Sequence, residues 1–109
     1  MSYRVQVSHR AIEDVVRNAK WWAERYSLEK ADEWQRALFS KIYSLDMFPN
    51  SHPVANESAD FPIEIREAHF GLSSRPGYRV LFTIVDDTVN VLTVKANEED
   101  WLSPDHLEL

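Results

Sequence analysis

The chain has 109 residues, with 12 Lys+Arg against 18 Asp+Glu for a formal charge of −6, and it contains no cysteine. A chain of this length fits one domain, residues 1–109, able to bury about two thirds of its unfolded surface and to fold without disulfides. The acidic excess sits in the C-terminal half, where residues 61–109 carry 4 basic and 9 acidic side chains, and it argues against general nucleic-acid binding, which depends on neutralising phosphates. No stretch approaches the roughly 18 apolar residues of a membrane span, and no basic n-region precedes an apolar run. The expectation is a soluble, cytoplasmic protein.

Residues 3–7, Tyr3-Arg4-Val5-Gln6-Val7, alternate apolar with polar and predict a short strand. Ser8 follows as a helix N-cap, and Ile12, Val15, Val16, Ala19, Trp22 and Tyr26 recur at helical spacing, which predicts a helix over 9–26. Ser27 is a second N-cap, and the stripe Ala31, Trp34, Leu38, Ile42 and Leu45 predicts a helix over 28–47 that ends before Pro49. Almost no linker separates the two, so they form an antiparallel hairpin. Residues 49–62 hold three prolines and many turn formers and read as a long irregular loop.

Alternation returns at Ile63-Glu64-Ile65-Arg66-Glu67-Ala68-His69-Phe70, a strand near 64–69. The strongest signal comes next: Tyr78-Arg79-Val80-Leu81-Phe82-Thr83-Ile84-Val85, a polar connection Asp86-Asp87-Thr88, and Val89-Asn90-Val91-Leu92-Thr93-Val94-Lys95. Two arms rich in β-branched and aromatic residues around a short polar link predict a hairpin of strands near 78–85 and 89–95, apolar on both faces and therefore central. The order β-α-α-β-β-β implies an α+β fold, with a two-helix antiparallel hairpin packed on one face of a mainly antiparallel four-stranded sheet.

A charged side chain inside a central strand needs solvent or a partner, which singles out Arg79. Its structural reading is a cross-strand pair with Glu64 or Glu67. Register decides what lies beside it. If Asp86-Asp87 alone make the turn, Arg79 faces Val94, and Lys95 points to the other side of the sheet. A three-residue turn that adds Thr88 sets Arg79 directly against Lys95. Two-residue turns are commoner in hairpins, so the expectation is Arg79 without Lys95 beside it.

The same words, Ile65-Arg66-Glu67, Phe70-Gly71, Tyr78-Arg79-Val80-Leu81-Phe82-Thr83-Ile84 and Asp87-Thr88-Val89-Asn90-Val91-Leu92, resemble the RelE/ParE toxins of bacterial type II toxin–antitoxin pairs, over nearly the whole of Tyr3 to Leu102. The resemblance implies a plasmid-stabilisation type of toxin, neutralised by a cognate antitoxin. Its target would be DNA gyrase or, through ribosome-dependent cleavage, mRNA. It offers Arg79, Lys95 and Arg66 as candidate catalytic residues and implies no cofactor. Many members read Arg-His-Gly-Ala-Arg-Asp after the last strand, where this chain has Lys95-Ala96-Asn97-Glu98-Glu99-Asp100. Neither Ala96 nor Glu99 can handle a proton or stabilise a phosphorane as histidine and arginine would, so ribonuclease activity is expected to be weak or absent and the gyrase branch is favoured. A non-toxic interaction protein of the same fold is a third reading.

The histidines His9, His52, His69 and His106 show no metal-ligand spacing. Trp21 and Trp22 lie about 100° apart on one helix and cannot both face inward. Trp21, Trp22 and Trp101, with Glu98 and Glu99, are therefore the candidate antitoxin-binding residues, aromatic anchors beside an acidic segment that complements a basic partner.

Overall fold

Alternating and helical periods give, in chain order, β1 (Arg4–Val7), α1 (His9–Arg25), α2 (Leu28–Tyr43), β2 (Arg66–Phe70), β3 (Tyr78–Val85) and β4 (Thr88–Ala96). The computed structural model describes residues 2–71 and 77–96. Short 3-10 turns at Ser44–Asp46, Pro49–Ser51 and Asn56–Asp60 occupy the stretch between α2 and β2. Both expected caps form: Ser8 Oγ accepts from Ala11 N and Ser27 Oγ from Lys30 N, each at 3.0 Å. The strands make one sheet of order β1-β4-β3-β2, antiparallel except that β1 runs parallel to β4.

The helices cover one face of this sheet. Ala11 and Val15 of α1 and Trp34, Leu38 and Ile42 of α2 pack with Ala68, Phe70, Val80, Phe82, Val89, Val91 and Val94. The other face has a smaller apolar cluster, Ala55, Ile65 and Leu81, with Phe61 and Leu92 against it. The central strands are thus covered twice, by helices on one side and by the irregular segment between α2 and β2 on the other. Among the described residues no helix is long and apolar enough to cross a membrane.

Three expectations need correction. The buried stripe of α1 is narrower than its apolar pattern: Ile12 is 37 % exposed, Val16 59 % and Tyr26 63 %, because the helix turns Ala11, Asp14 and Val15 toward the sheet. Regular α-helix ends at Tyr43, and it is the turn Ser44–Asp46 that carries Leu45 into the core. The third concerns register. Asp86 and Asp87 do form a two-residue turn, with Val85 facing Thr88 and Phe82 facing Val91, but Leu81 faces Thr93, so one extra residue, Leu92, sits in β4. Such a β-bulge shifts every later pair by one and flips the faces beyond it. Arg79 consequently lies directly opposite Lys95.

The bulge leaves backbone groups of β4 for α1 to satisfy. β1 stops pairing at Val7 opposite Val91. Beyond it Ser8 N donates to Val91 O (3.0 Å) and Ser8 Oγ to Leu92 O (2.9 Å), while buried Asp14 accepts from Val94 N (3.0 Å) and from Thr93 Oγ1. Arg17 Nη2, 2.9 Å from Asp14 Oδ1, compensates the buried carboxylate. These bonds tie the start of α1 to the end of β4 and fix the register on which the site depends.

Candidate functional site

Arg79 and Lys95 emerge on the face away from the helices. That face carries Leu81 next along β3, and Glu67 and His69 on β2. Arg79 is only 6 % exposed, a position a guanidinium holds only with its charge answered. Its Nη1 donates to Glu57 Oε1 (3.1 Å) and Glu67 Oε2 (2.7 Å), and its Nη2 donates to Glu57 Oε2 (2.5 Å). Lys95 Nζ stands 3.8 Å from the same Glu57 Oε2. The two cations are therefore bridged by one carboxylate and flanked by a second.

Glu57 comes from the turn Asn56–Asp60, which is anchored to β2's approach: Ala55 N donates to Ile65 O (2.8 Å), Ile65 N donates to Ser58 Oγ (2.9 Å), and Ala55 is buried against Ile65 and Leu81. The Arg79 hydrogen bonds hold the Glu57 carboxyl below the ordinary range; burial opposes this, while its own backbone amide and the charges of Arg79 and Lys95 add to it. The cluster thus holds two cations and two anions with the guanidinium fork engaged on both Nη atoms. Such a group fixes a loop onto a sheet and positions charge, but Arg79 is not presented to an incoming anion.

Arg66 lies apart. It pairs with Phe82, on the opposite face from Arg79, and its Nη1 donates to His52 O (2.6 Å) and Asn50 O (3.2 Å) while Nη2 lies 2.9 Å from Glu64. Its acidic partner comes from its own segment and not from across a strand, and its other contacts tie down the Pro49–Ser51 region. His52, edge-on to Phe82 at 5.8 Å, has its pKa lowered by burial first and then by the positive charges of Lys41 and Arg66.

Of the tryptophan pair, Trp22 turns inward, donating Nε1–H to Tyr78 Oη (2.9 Å) and stacking on Trp34 with centroids 6.5 Å apart. Trp21 is 44 % exposed, with Arg25 Cζ 5.4 Å above its ring. Trp101, Glu98 and Glu99 lie outside the described residues. Two site residues escape sequence reasoning: Glu57, one of two acids in a proline-rich loop, and Asp14, whose helical position resembles a solvated one.

The family model described as ParE toxin of type II toxin-antitoxin system, parDE, matches residues 5–101. No curated protein matches significantly. Among solved structures, a chain from "Chromosomal ParDE TA system from P. aeruginosa" superposes with a TM-score of 0.69 at 14 % identity, covering 87 % of this chain and 96 % of that one; at this identity the likeness is one of fold. Because the family match takes in most of β1, both helices and the three remaining strands, the chain belongs to the ParE toxin family of type II toxin–antitoxin systems.

Proposed function

We propose that this protein is a toxin that acts on DNA gyrase and is neutralised by a cognate antitoxin, and that it does not cut mRNA. The observation carrying this reading is the closure of the Arg79–Lys95 pair by Glu57 and Glu67. Phosphoryl chemistry needs donors aimed at the place where negative charge develops and a group able to move a proton. Here both Nη atoms of Arg79 already serve carboxylates, and Ala96 offers no titratable atom where the resemblance leads one to look for histidine. The net charge of −6 adds nothing toward holding a ribosome-bound message. For the antitoxin, the exposed side chains Ile12, Val16, Trp21, Tyr26 and Leu28 of the helix hairpin supply apolar and aromatic anchors. Disordered segments that fold on binding use such surfaces.

One observation favours a second reading. The bulge sets Arg79 and Lys95 side by side on one face, the arrangement an mRNA endonuclease would use if Glu57 were displaced. Induction of the chain alone in a bacterial host separates the two. Growth arrest with a DNA-damage response and intact transcripts is the expected result. Codon-linked cleavage mapped by primer extension and abolished by Arg79→Ala would overturn it, and harmless expression would favour a non-toxic interaction protein. Co-expression with the adjacent antitoxin-sized gene should restore growth and yield a co-purifying complex.

A further inference from the structure

At the far end of the central hairpin, seven residues along β3 from Arg79 or about 23 Å at ~3.3 Å per residue, lies a separate cavity. Its volume is about 550 Å³, within the range of ligand sites, and its walls include Tyr3, Phe48, Asn50, Ser51, Asp86 and Asp87. Nothing in the toxin reading uses it.

The walls are fixed from several segments. Tyr3 N donates to Asp46 O (2.8 Å), Arg4 N to Asp87 O (2.8 Å) and Asn50 Nδ2 to Tyr3 Oη (3.2 Å), while Phe48 O accepts from Ser51 N (3.0 Å) and Ser51 Oγ (2.7 Å). Among the described residues only two non-glycines take a positive φ, Phe48 at 53° and Asp86 at 55°, and both line this cavity. Asp tolerates that region; a residue as bulky as Phe does so at a cost. Phe48 is nevertheless 74 % exposed, so its ring recovers little by burial within the chain.

Held in place, Phe48 and Tyr3 offer aromatic surface beside the exposed carboxylates of Asp86 and Asp87, of which Asp87 Oδ1 accepts from Thr88 Oγ1 at 3.2 Å. Aromatic faces next to carboxylates complement a cation that is flat, weakly hydrated and carried on an apolar stem. An ammonium is a compact, strongly hydrated point charge and uses the rings less well. We propose that this cavity receives an arginine side chain from a protein partner, the guanidinium bonding to Asp86 and Asp87 and stacking on Phe48 and Tyr3.

The test uses the full-length protein, isotope-labelled, titrated in an NMR experiment with an arginine-centred tripeptide, its norleucine counterpart and spermidine. The arginine peptide should give saturable shifts at the amides of Tyr3, Ser51, Asp86 and Asp87, with the norleucine peptide at least about tenfold weaker. Asp86→Asn/Asp87→Asn should weaken arginine binding by about tenfold, as the loss of charge-assisted bonds would. Phe48→Gly, which accepts the backbone conformation and keeps the carboxylates, should weaken it while raising the melting temperature, so that lost binding cannot be lost folding. Equal response to norleucine, or no response at these amides, overturns the proposal. Tighter saturation by spermidine than by the peptide overturns the assignment to a protein partner in favour of a free polyamine.

Discussion

Replacing Glu57 by glutamine tests whether the cluster closes over Arg79. The substitution removes the charge behind two hydrogen bonds to Arg79, at 3.1 and 2.5 Å, and behind the 3.8 Å contact to Lys95, while Glu67 stays at 2.7 Å. Hydrogen bonds to charged groups contribute about 1.5–3 kcal/mol each, but glutamine still accepts one and the Glu57 side chain is 14 % exposed. The expected loss is therefore about 2–3 kcal/mol, below the ~3–5 kcal/mol of breaking a fully buried pair. For a domain of this size that lowers the melting temperature by roughly 10–15 °C, read by circular dichroism. The pH dependence supplies a second readout. The folded pKa of Glu57 lies below 4.5, chiefly through the Arg79 hydrogen bonds, so the folded state binds fewer protons than the unfolded one. The resulting stability is present above pH 4.5 and is lost as pH falls through the lowered folded value. Glu57→Gln should lack that part of the acid slope. A melting temperature within about 2 °C of wild type, with an unchanged slope below pH 4.5, would refute the closed cluster.

Asp14→Ala strips Val94 N, Thr93 Oγ1 and Arg17 of a buried acceptor and should cost about 2–4 kcal/mol, seen as a lower urea midpoint at unchanged slope. Deleting Leu92 removes the extra residue of the bulge without changing the pairs on either side of it, so Arg79 should still face Lys95; hydrogen exchange at Val94 and Lys95 should keep its protection, and lost protection there would contradict Leu92 as the unpaired residue. Trp34 Nε1 is buried with no hydrogen-bond partner among the described residues. Trp34→Phe should therefore cost under about 1.5 kcal/mol against ~3–5 kcal/mol for Trp34→Ala, both by denaturant titration.

Periodicity made the helices, the strands and the helix-hairpin-on-sheet layering legible, since Ser8 and Ser27 mark helix starts chemically and the apolar period switches where the elements change. The turn was legible too, because Asp86-Asp87 interrupts two β-rich arms. Its consequence for Arg79 was not. Leu92 fits a strand whether it is paired or bulged, and what settles the matter is Asp14, 80 residues away from the Val94 amide it accepts from. Of the partners expected for Arg79, Glu67 is present, but Glu64 serves Arg66. Glu57 reaches the guanidinium only because Ala55 and Ser58 dock their loop on Ile65, and no local pattern in a proline-rich stretch encodes that long-range contact. The split between Trp21 and Trp22 followed from helix geometry alone, whereas which of them turns inward rests on Tyr78 and Trp34.

The most direct test of the toxin reading is a supercoiling assay with purified DNA gyrase and relaxed plasmid, run alongside ribosomes programmed with a defined message. The protein should inhibit supercoiling and leave the message intact, and added antitoxin should restore gyrase activity. Undisturbed supercoiling together with message cleavage that disappears in Arg79→Ala would contradict it.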